Sequence, residues 1–283
     1  MSIRRNVVAL LDRPGGRTIL GKLATLYARR MSGADVEAYY DGAWIHRVGS
    51  QFFPDGPRFL HDRDSLVRWK DEPARYLENA HDFWFRYLPP VEGEVVIDVG
   101  AGHGEDTLAF SRAVGRTGRV IAIEAHPTSF EILRRFCALN GLDNVTSLHA
   151  AMMDRPGIVT FSDNDSWEAA AVLEGHDRPG VKVSAATLDD VCRREGVTQV
   201  ALLKMNIEGA ERSALLGMER TLESVRTVCV ACHDFRADRG DGEGFRTKDF
   251  VASFLAARGF ELASRPNDER DYVRDHVIGL KRR

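Results

Sequence analysis

The chain has 283 residues, 43% of them hydrophobic and 29% charged, enough for one large α/β domain plus a smaller region with an ample core. Its net charge of −3 gives no general attraction to nucleic acid or to a membrane surface, and no apolar run approaches transmembrane length. Four scattered cysteines, Cys137, Cys192, Cys229 and Cys232, fit a reducing cytosol, and Cys229 with Cys232 lacks the second pair a metal knuckle needs, so buried thiols are expected.

Met1 to Leu11 mimics the charged and apolar regions of a signal peptide, but Asp12, Arg13 and Pro14 cut the run short and no small-residue cleavage site follows. A cytoplasmic protein is therefore expected. Residues 1–90 read as a helical extension that caps the main domain or contacts a second copy of the chain. Arg17 to Met31 spaces Ile19, Leu20, Leu23, Leu26 and Tyr27 at helical intervals, with Lys22, Arg29 and Arg30 on other faces. That pattern suits a helix packed on protein better than one lying on a membrane. Trp44 to Phe53 reads as a short hairpin, and Pro54 to Pro57 as a turn-rich break. Tyr76 to Leu88 reads as a helix whose aromatics are core, placed where a helix can also roof a cofactor pocket.

From residue 91 to 283 strands and helices alternate, the signature of a parallel sheet. Val95 to Val99 is a buried strand, and Gly100, Gly102 and Gly104 follow it as a loop that lets a ligand approach the backbone. Glu105 then opens a helix whose free N–H groups face that loop. A dinucleotide G-x-G-x-x-G fails in both frames, because Glu105 or Thr107 stands at the third glycine, and no Gly-Lys-Ser/Thr follows for a P-loop. Asp98 at the strand end would repel a pyrophosphate but suit an ammonium group. Glu124, ending the strand Arg119 to Glu124 some twenty residues on, can bind both hydroxyls of a ribose. Asp98-x-Gly100-x-Gly102-x-Gly104 with Glu124 resembles motif I of the class I methyltransferases, which use S-adenosyl-L-methionine.

A second helix spans Pro127 to Asn140 and a third strand Asn144 to Ala150. Gly157 to Phe161 and Val181 to Ala185 look like short added strands, with a polar loop around Asp163 to Ser166 between them. Thr187 is an N-cap candidate. Val200 to Ile207 is the fourth main strand, Thr227 to Cys232 the fifth, Phe245 to Arg258 a helix, and Phe260 to Ser264 and His276 to Lys281 the last two strands. Asp238 to Gly244 is a glycine-rich loop beside the fifth strand, well placed to be a lid.

Chemistry gathers at the carboxyl ends of such strands. Lys204, Asn206 and Glu208 end the fourth strand and His233 and Asp234 the fifth, so an ammonium, an amide, carboxylates and an imidazole meet there. Lys204 is expected to pair with Glu208 or Glu211, which would hold the acid's pKa low. His233, with an ordinary pKa near 6.5, is then the leading general base, and Asn206 and Glu208 orient the acceptor hydroxyl.

The ordered set Asp98 to Gly102, Glu124, Asn140 to Leu142, Ala186 to Asp190 and Leu203 to Glu211 resembles the FkbM-type methyltransferases over roughly residues 92–235. Asn206 stands where that family usually has Asp, and Ala231 where it often has Glu. The resemblance implies a Rossmann-like class I fold: a mostly parallel seven-stranded sheet with helices on both faces, over residues 91–283, plus the N-terminal helical extension. It implies an O-methyltransferase acting on a hydroxyl of a sugar, polyketide or other natural product. Asp98 would engage the methionine amino group through the glycine loop, and Glu124 the ribose. Gly100, Ala101, Gly102, Gly104, Ala125, Met152 and Asn206 would complete the cofactor contacts, with Met152 by the adenine. No metal is required. The alternatives are a divalent-cation enzyme using Glu208 and Asp234 with Asn206, a non-catalytic S-adenosylmethionine-binding protein, and, more distantly, a nicotinamide-dependent oxidoreductase.

Overall fold

In the computed structural model, which describes residues 3–161, 172–173 and 180–281, the chain divides into two units, Met1–Asn79 with Arg134–Leu142 and Ala80–Leu133 with Asp143–Arg283. The loop expected around Asp163 to Ser166 lies outside the described residues. Among the described residues, no helix is long and apolar enough to cross a membrane.

The first unit opens with helices α1 (Ile3–Leu11) and α2 (Arg17–Ser32). It continues as an antiparallel sheet of β1 (Val36–Asp41), β2 (Ala43–Val48) and β3 (Gln51–Pro54), followed by α3 (Arg63–Arg68). The extension is therefore not purely helical. Gly42, at a φ of 72°, turns the chain between Asp41 of β1 and Ala43 of β2, which are register partners. The α2 pattern also divides differently. Leu20, Gly21, Ala24 and Ala28 are buried while Ile19, Leu23 and Leu26 are exposed. Small residues face the sheet because the backbones approach closely: a Cβ on Gly21 would stand 2.7 Å from the Ala38 carbonyl oxygen.

Helix α4 (Glu72–Phe83) leads into the second unit. The order there is β4 (Val95–Val99), α5 (Glu105–Val114), β5 (Arg119–Glu124), α6 (Pro127–Leu139), β6 (Val145–His149), β7 (Ala151–Met152), β8 (Gly157–Phe161), β9 (Val172–Leu173) and β10 (Val181–Ala186). Then come α7 (Leu188–Glu195), β11 (Val200–Met205), α8 (Glu211–Leu216), β12 (Val225–Ala231), α9 (Asp234–Asp238), α10 (Lys248–Ala256), β13 (Glu261–Ala263), α11 (Asp271–Arg274) and β14 (His276–Leu280). The main sheet runs β13-β14-β12-β11-β4-β5-β6, parallel except for β14, which is antiparallel to both neighbours. This is the class I methyltransferase fold. A smaller sheet, β7-β10-β8-β9, stands beside it.

Alternation along the strands decides what each face meets. Ile97, Val99, Ile121, Ile123, Leu203 and Met205 join one core with Leu188 and Val191 of α7, Ala214 and Leu215 of α8, and Val251 and Leu255 of α10. Asp98 points to the opposite face, where Thr107 of α5 donates to it at 2.7 Å. Each fully buried aliphatic side chain contributes about 1.5–3 kcal/mol, so the run from Val200 to Leu203 with Met205, interrupted only by Lys204, fixes β11 at the sheet's centre. The sheet changes direction of growth between β4 and β11, the switch point at which an α/β sheet opens a crevice. All four cysteines are buried and free, and burial pushes the Cys229 thiol up to about 12.

Candidate active site

A cleft of about 710 Å³, counting its open mouth, sits at that crevice and is lined by Gly100, Gly102, Glu124, Ala125, Met152, Asn206 and Glu208 among others. The glycine loop shapes its floor. Gly100 has a φ of 75°, and a Cβ there would come within 1.9 Å of the Asn206 carbonyl oxygen, so only glycine lets the loop pass under the end of β11. Gly102, at a φ of 57°, faces open space instead.

Glu124 is fixed from both sides. Its Oε2 accepts the Gly102 N–H at 2.8 Å and its Oε1 the His126 N–H at 2.7 Å. Burial raises its pKa despite these bonds. The acid at the end of β5 thus ties the glycine loop to the start of α6 and still lines the cleft. Met152 lines the wall as expected, joined by Met153 and Phe161 of the smaller sheet's apolar cluster. His126, Met153, Phe161 and Ile207 belong to the site without having been singled out in the sequence. His126 directly follows Ala125 in the chain, whereas Phe161 comes from an added strand that carries no motif.

Lys204 corrects the sequence reading, and its partner is Asp98. Asp98 is fully buried and absent from the cleft wall, with one oxygen accepting from Thr107 and the other 2.8 Å from Lys204 Nζ. Its connection to the glycine loop runs through Lys204. Lys204 also donates to the Gly100 carbonyl oxygen at 2.7 Å and lies 3.7 Å from Asp106. Burial lowers its pKa, but the charges of Asp98 and Asp106 outweigh this and raise it. Its partners are therefore Asp98 and Asp106, not Glu208 or Glu211. Its ammonium holds the glycine loop through the Gly100 carbonyl oxygen, and Lys204 does not line the cleft. Ala101 and Gly104 are likewise in the loop but not on the cleft wall.

Glu208 stands at the edge of the cleft in left-handed backbone, φ 53°, with Gly209 at 98° after it. His233 Nε2 lies 3.1 Å from Glu208 Oε1, and Arg236 Nη1 donates to Oε2 at 2.7 Å. His233 Nδ1 is 3.6 Å from Oε1 of Glu211, a fully buried acid. Burial pulls the His233 pKa down, but the close contact with Glu208 and the charges of Glu208 and Glu211 raise it to about 9. Burial would raise Glu208, yet His233 and then Arg236 bring it below the usual range. The low value of Glu208 was expected; its source is His233 and Arg236 instead of Lys204. His233 is charged at neutral pH and does not line the cleft, so the lone pair a general base needs is occupied by a proton.

The cation arrangement is also corrected. Asp234 Oδ1 accepts the N–H groups of Thr247 and Lys248 at 2.9 and 3.0 Å, holding the start of α10, while Glu208 is taken up by His233 and Arg236. The two carboxylates do not share a ligand position. Asn206 does line the cleft, and its buried Oδ1 has no hydrogen-bond partner among the described residues.

A second cavity adjoins the first and shares Met153, Glu208 and Ala210 with it. Its far wall is Asp241 to Gly244, part of the segment Asp238 to Gly244 expected as a lid, with Phe245, Arg246 and Thr247. Arg236 links that loop to Glu208, since its Nε donates to Asp241 at 3.0 Å and its guanidinium lies 4.0 Å from the centre of the Phe245 ring.

A family model described as the methyltransferase FkbM domain matches residues 98–262. Among curated proteins, the chain is 28% identical over 127 residues to the tRNA (adenine(57)-N(1)/adenine(58)-N(1))-methyltransferase TrmI of Methanocaldococcus jannaschii, covering 44% of each. It is 23% identical over 158 residues to the 2-O-methyltransferase NoeI of Sinorhizobium fredii, covering 50% of this chain and 63% of that one. The chain thus spans less than two thirds of either relative. A solved structure of methyltransferase FkbM from Methylobacillus flagellatus KT aligns with a TM-score of 0.48 and 18% identity, over 78% of this chain and 56% of that one.

Proposed function

The chain belongs to the FkbM methyltransferase family, whose cofactor is S-adenosyl-L-methionine, and from that premise we propose that it methylates a hydroxyl group of a small molecule. Family membership removes the nicotinamide alternative. The residues of the cleft fit the cofactor: Glu124 faces it with its orientation fixed, Asn206 offers a buried oxygen without a partner, and Gly102 leaves room where a side chain would intrude. When bound, the cofactor supplies a methyl group on a sulfonium, and the reaction is an in-line displacement that depends chiefly on alignment.

The observation that carries the reading is the meeting of two cavities at Glu208. The second cavity is the acceptor site. Arg212, Ser213, Asp241, Glu243 and Arg246 give it a polar wall suited to a hydroxyl-rich molecule. Glu208, ionised and aimed by His233 and Arg236, accepts the acceptor's hydroxyl hydrogen and takes the proton as the oxygen attacks. His233 acts through Glu208 as a positioning residue, and it takes the role of base only above its own titration near 9. The loop from Asp241 to Gly244 covers the acceptor and excludes water.

NoeI's name describes an O-methyltransferase, whereas TrmI's describes an N-methyltransferase of tRNA adenine. A net charge of −3 favours the small-molecule reading over a nucleic-acid one. Incubating the protein with labelled S-adenosylmethionine and a panel of hydroxylated metabolites, then locating the added methyl by mass spectrometry, tests the proposal. Methyl ethers are expected. Methylation at nitrogen overturns it, and so does tight donor binding without turnover on any hydroxyl acceptor, which would favour a non-catalytic binding protein.

A further inference from the structure

The first unit contains a cluster of metal-ligating side chains that the methyl-transfer reading does not use, and it lies before the residues matched by the family model. His46 in β2, Asp55 just past β3, and His61 just before α3 each present one donor atom, and the three atoms lie within 4.8 Å of one another. We propose that His46 Nδ1, Asp55 Oδ2 and His61 Nε2 bind one divalent transition-metal ion of the zinc class, with the fourth position left to water.

The spacing suits coordination. His46 Nδ1 is 3.1 Å and His61 Nε2 3.0 Å from the same oxygen, Asp55 Oδ2. Donors bound at 2.0–2.1 Å with angles between tetrahedral and square stand about 2.9–3.4 Å apart, so both nitrogens already stand at ligand spacing from Asp55 Oδ2, and an entering ion would draw the two nitrogens, within 4.8 Å of one another, together. Two imidazoles and one carboxylate form a donor set that zinc and its neighbours in the first transition row accept, and that calcium and magnesium, which prefer oxygen alone, do not.

The surroundings hold these donors in place. The His46 ring is sandwiched, with Trp69 stacked at 4.4 Å and 6° on one side and Phe53 at 5.2 Å and 19° on the other. His61 meets Trp69 and Phe59 edge-on at 4.9 and 5.3 Å. His46 Nε2 lies 2.6 Å from Glu72 Oε2. A carboxylate behind a histidine on the side away from the ion fixes the tautomer and makes the other nitrogen a better ligand, and metal-binding histidines recurrently carry such a partner. Glu72 is therefore a positioning residue. An ion here would cross-link β2, the exit of β3 and the segment before α3, none of which is tied to the others by a disulfide.

The test uses the full chain, stripped with a chelator and then titrated calorimetrically with zinc ion. One equivalent is expected, together with a rise in the melting temperature. His61→Gln is partly exposed and spares the stacked His46, so the variant is expected to fold; it should lose more affinity than the roughly 10–100-fold that removing an outer partner costs. Glu72→Ala should lose about that 10–100-fold while keeping the stoichiometry. Cobalt substitution should give visible absorption bands that disappear in His61→Gln. Absence of a stoichiometric site in the stripped protein overturns the proposal, and so does zinc affinity equal in wild type and in both His61→Gln and Asp55→Asn.

Discussion

Replacing Glu208 with glutamine tests the electrostatic account of the site most directly. In the folded protein His233 titrates near 9 and not near 6.5, because Glu208 at 3.1 Å and Glu211 at 3.6 Å prefer it charged. A rise of that size is worth about 3 kcal/mol at 1.36 kcal/mol per tenfold change in proton affinity. Glu208 is the nearer acid and the one within hydrogen-bonding distance, so its removal takes away at least half of this. The His233 midpoint should then fall to about 7.8 or lower. The folded-state value lies above the unfolded one, so the associated stability is complete below pH 6.5 and disappears as the pH rises through about 9. Titrating the imidazole carbon-bound protons by NMR, in wild type and in Glu208→Gln, reads both midpoints. Urea unfolding at pH 6 and pH 10 reads the stability, whose difference should be smaller in the variant. A wild-type midpoint near 6.5 would refute the reasoning and return His233 to the role of general base at neutral pH. An unchanged midpoint in the variant would show that Glu208 is not the group that holds the charge.

Glu124→Ala should weaken S-adenosylmethionine binding by about 1.5–3 kcal/mol per charge-assisted bond lost, and unchanged affinity by calorimetry in a folded variant would remove Glu124 from the ribose. Lys204→Met strips a fully buried Asp98 of its cation and should destabilise the domain by about 3–5 kcal/mol in urea unfolding; a loss below about 1 kcal/mol would mean that Thr107 alone satisfies the acid. Gly100→Ala drives a Cβ into the Asn206 carbonyl and should prevent correct folding, whereas Gly102→Ala meets no protein atom within 4 Å and costs only about 1–2 kcal/mol for its backbone. Gly102→Ala should therefore fold but lose donor binding, and normal donor affinity in that variant would place the cofactor elsewhere.

What the sequence made legible was local. The strand from Val95 to Val99, the glycines after it and the acid ending β5 lie within one βαβ unit, where hydrophobic runs and glycines determine the backbone. Thr187 could be read as a cap because the Asp190 N–H it receives, at 3.1 Å, is three residues away. Lys204 was misread for the opposite reason: its nearest acids in sequence are Glu208 and Glu211, but a parallel pairing of β11 with β4 puts it opposite Asp98, 106 residues earlier. The charge on His233 had no local sign either, since the acids that raise its pKa follow a neighbouring strand. His46, Asp55 and His61 are spaced without any motif, and only the antiparallel sheet and the following segment bring their donors together.

The backbone at Glu208 joins these observations. A non-glycine residue in left-handed conformation costs about 1–2 kcal/mol, and Gly209 after it is left-handed too, so a chain under no other demand would have placed a second glycine at 208. The conformation turns the chain sharply between β11 and α8, and it leaves the carboxylate at the border of both cavities with Arg236 and His233 on either oxygen. Asparagine or aspartate would tolerate that backbone better, but their side chains are one methylene shorter. The length of glutamate is what lets one group meet His233, Arg236 and both cavities at once. Arg236 in turn holds Asp241, so the carboxylate's environment changes whenever the loop at 241–244 moves. With the loop in place Asp241 takes part of the Arg236 charge, so Glu208 accepts a proton more readily than it would with Arg236 turned wholly to it, which couples proton acceptance to coverage of the acceptor.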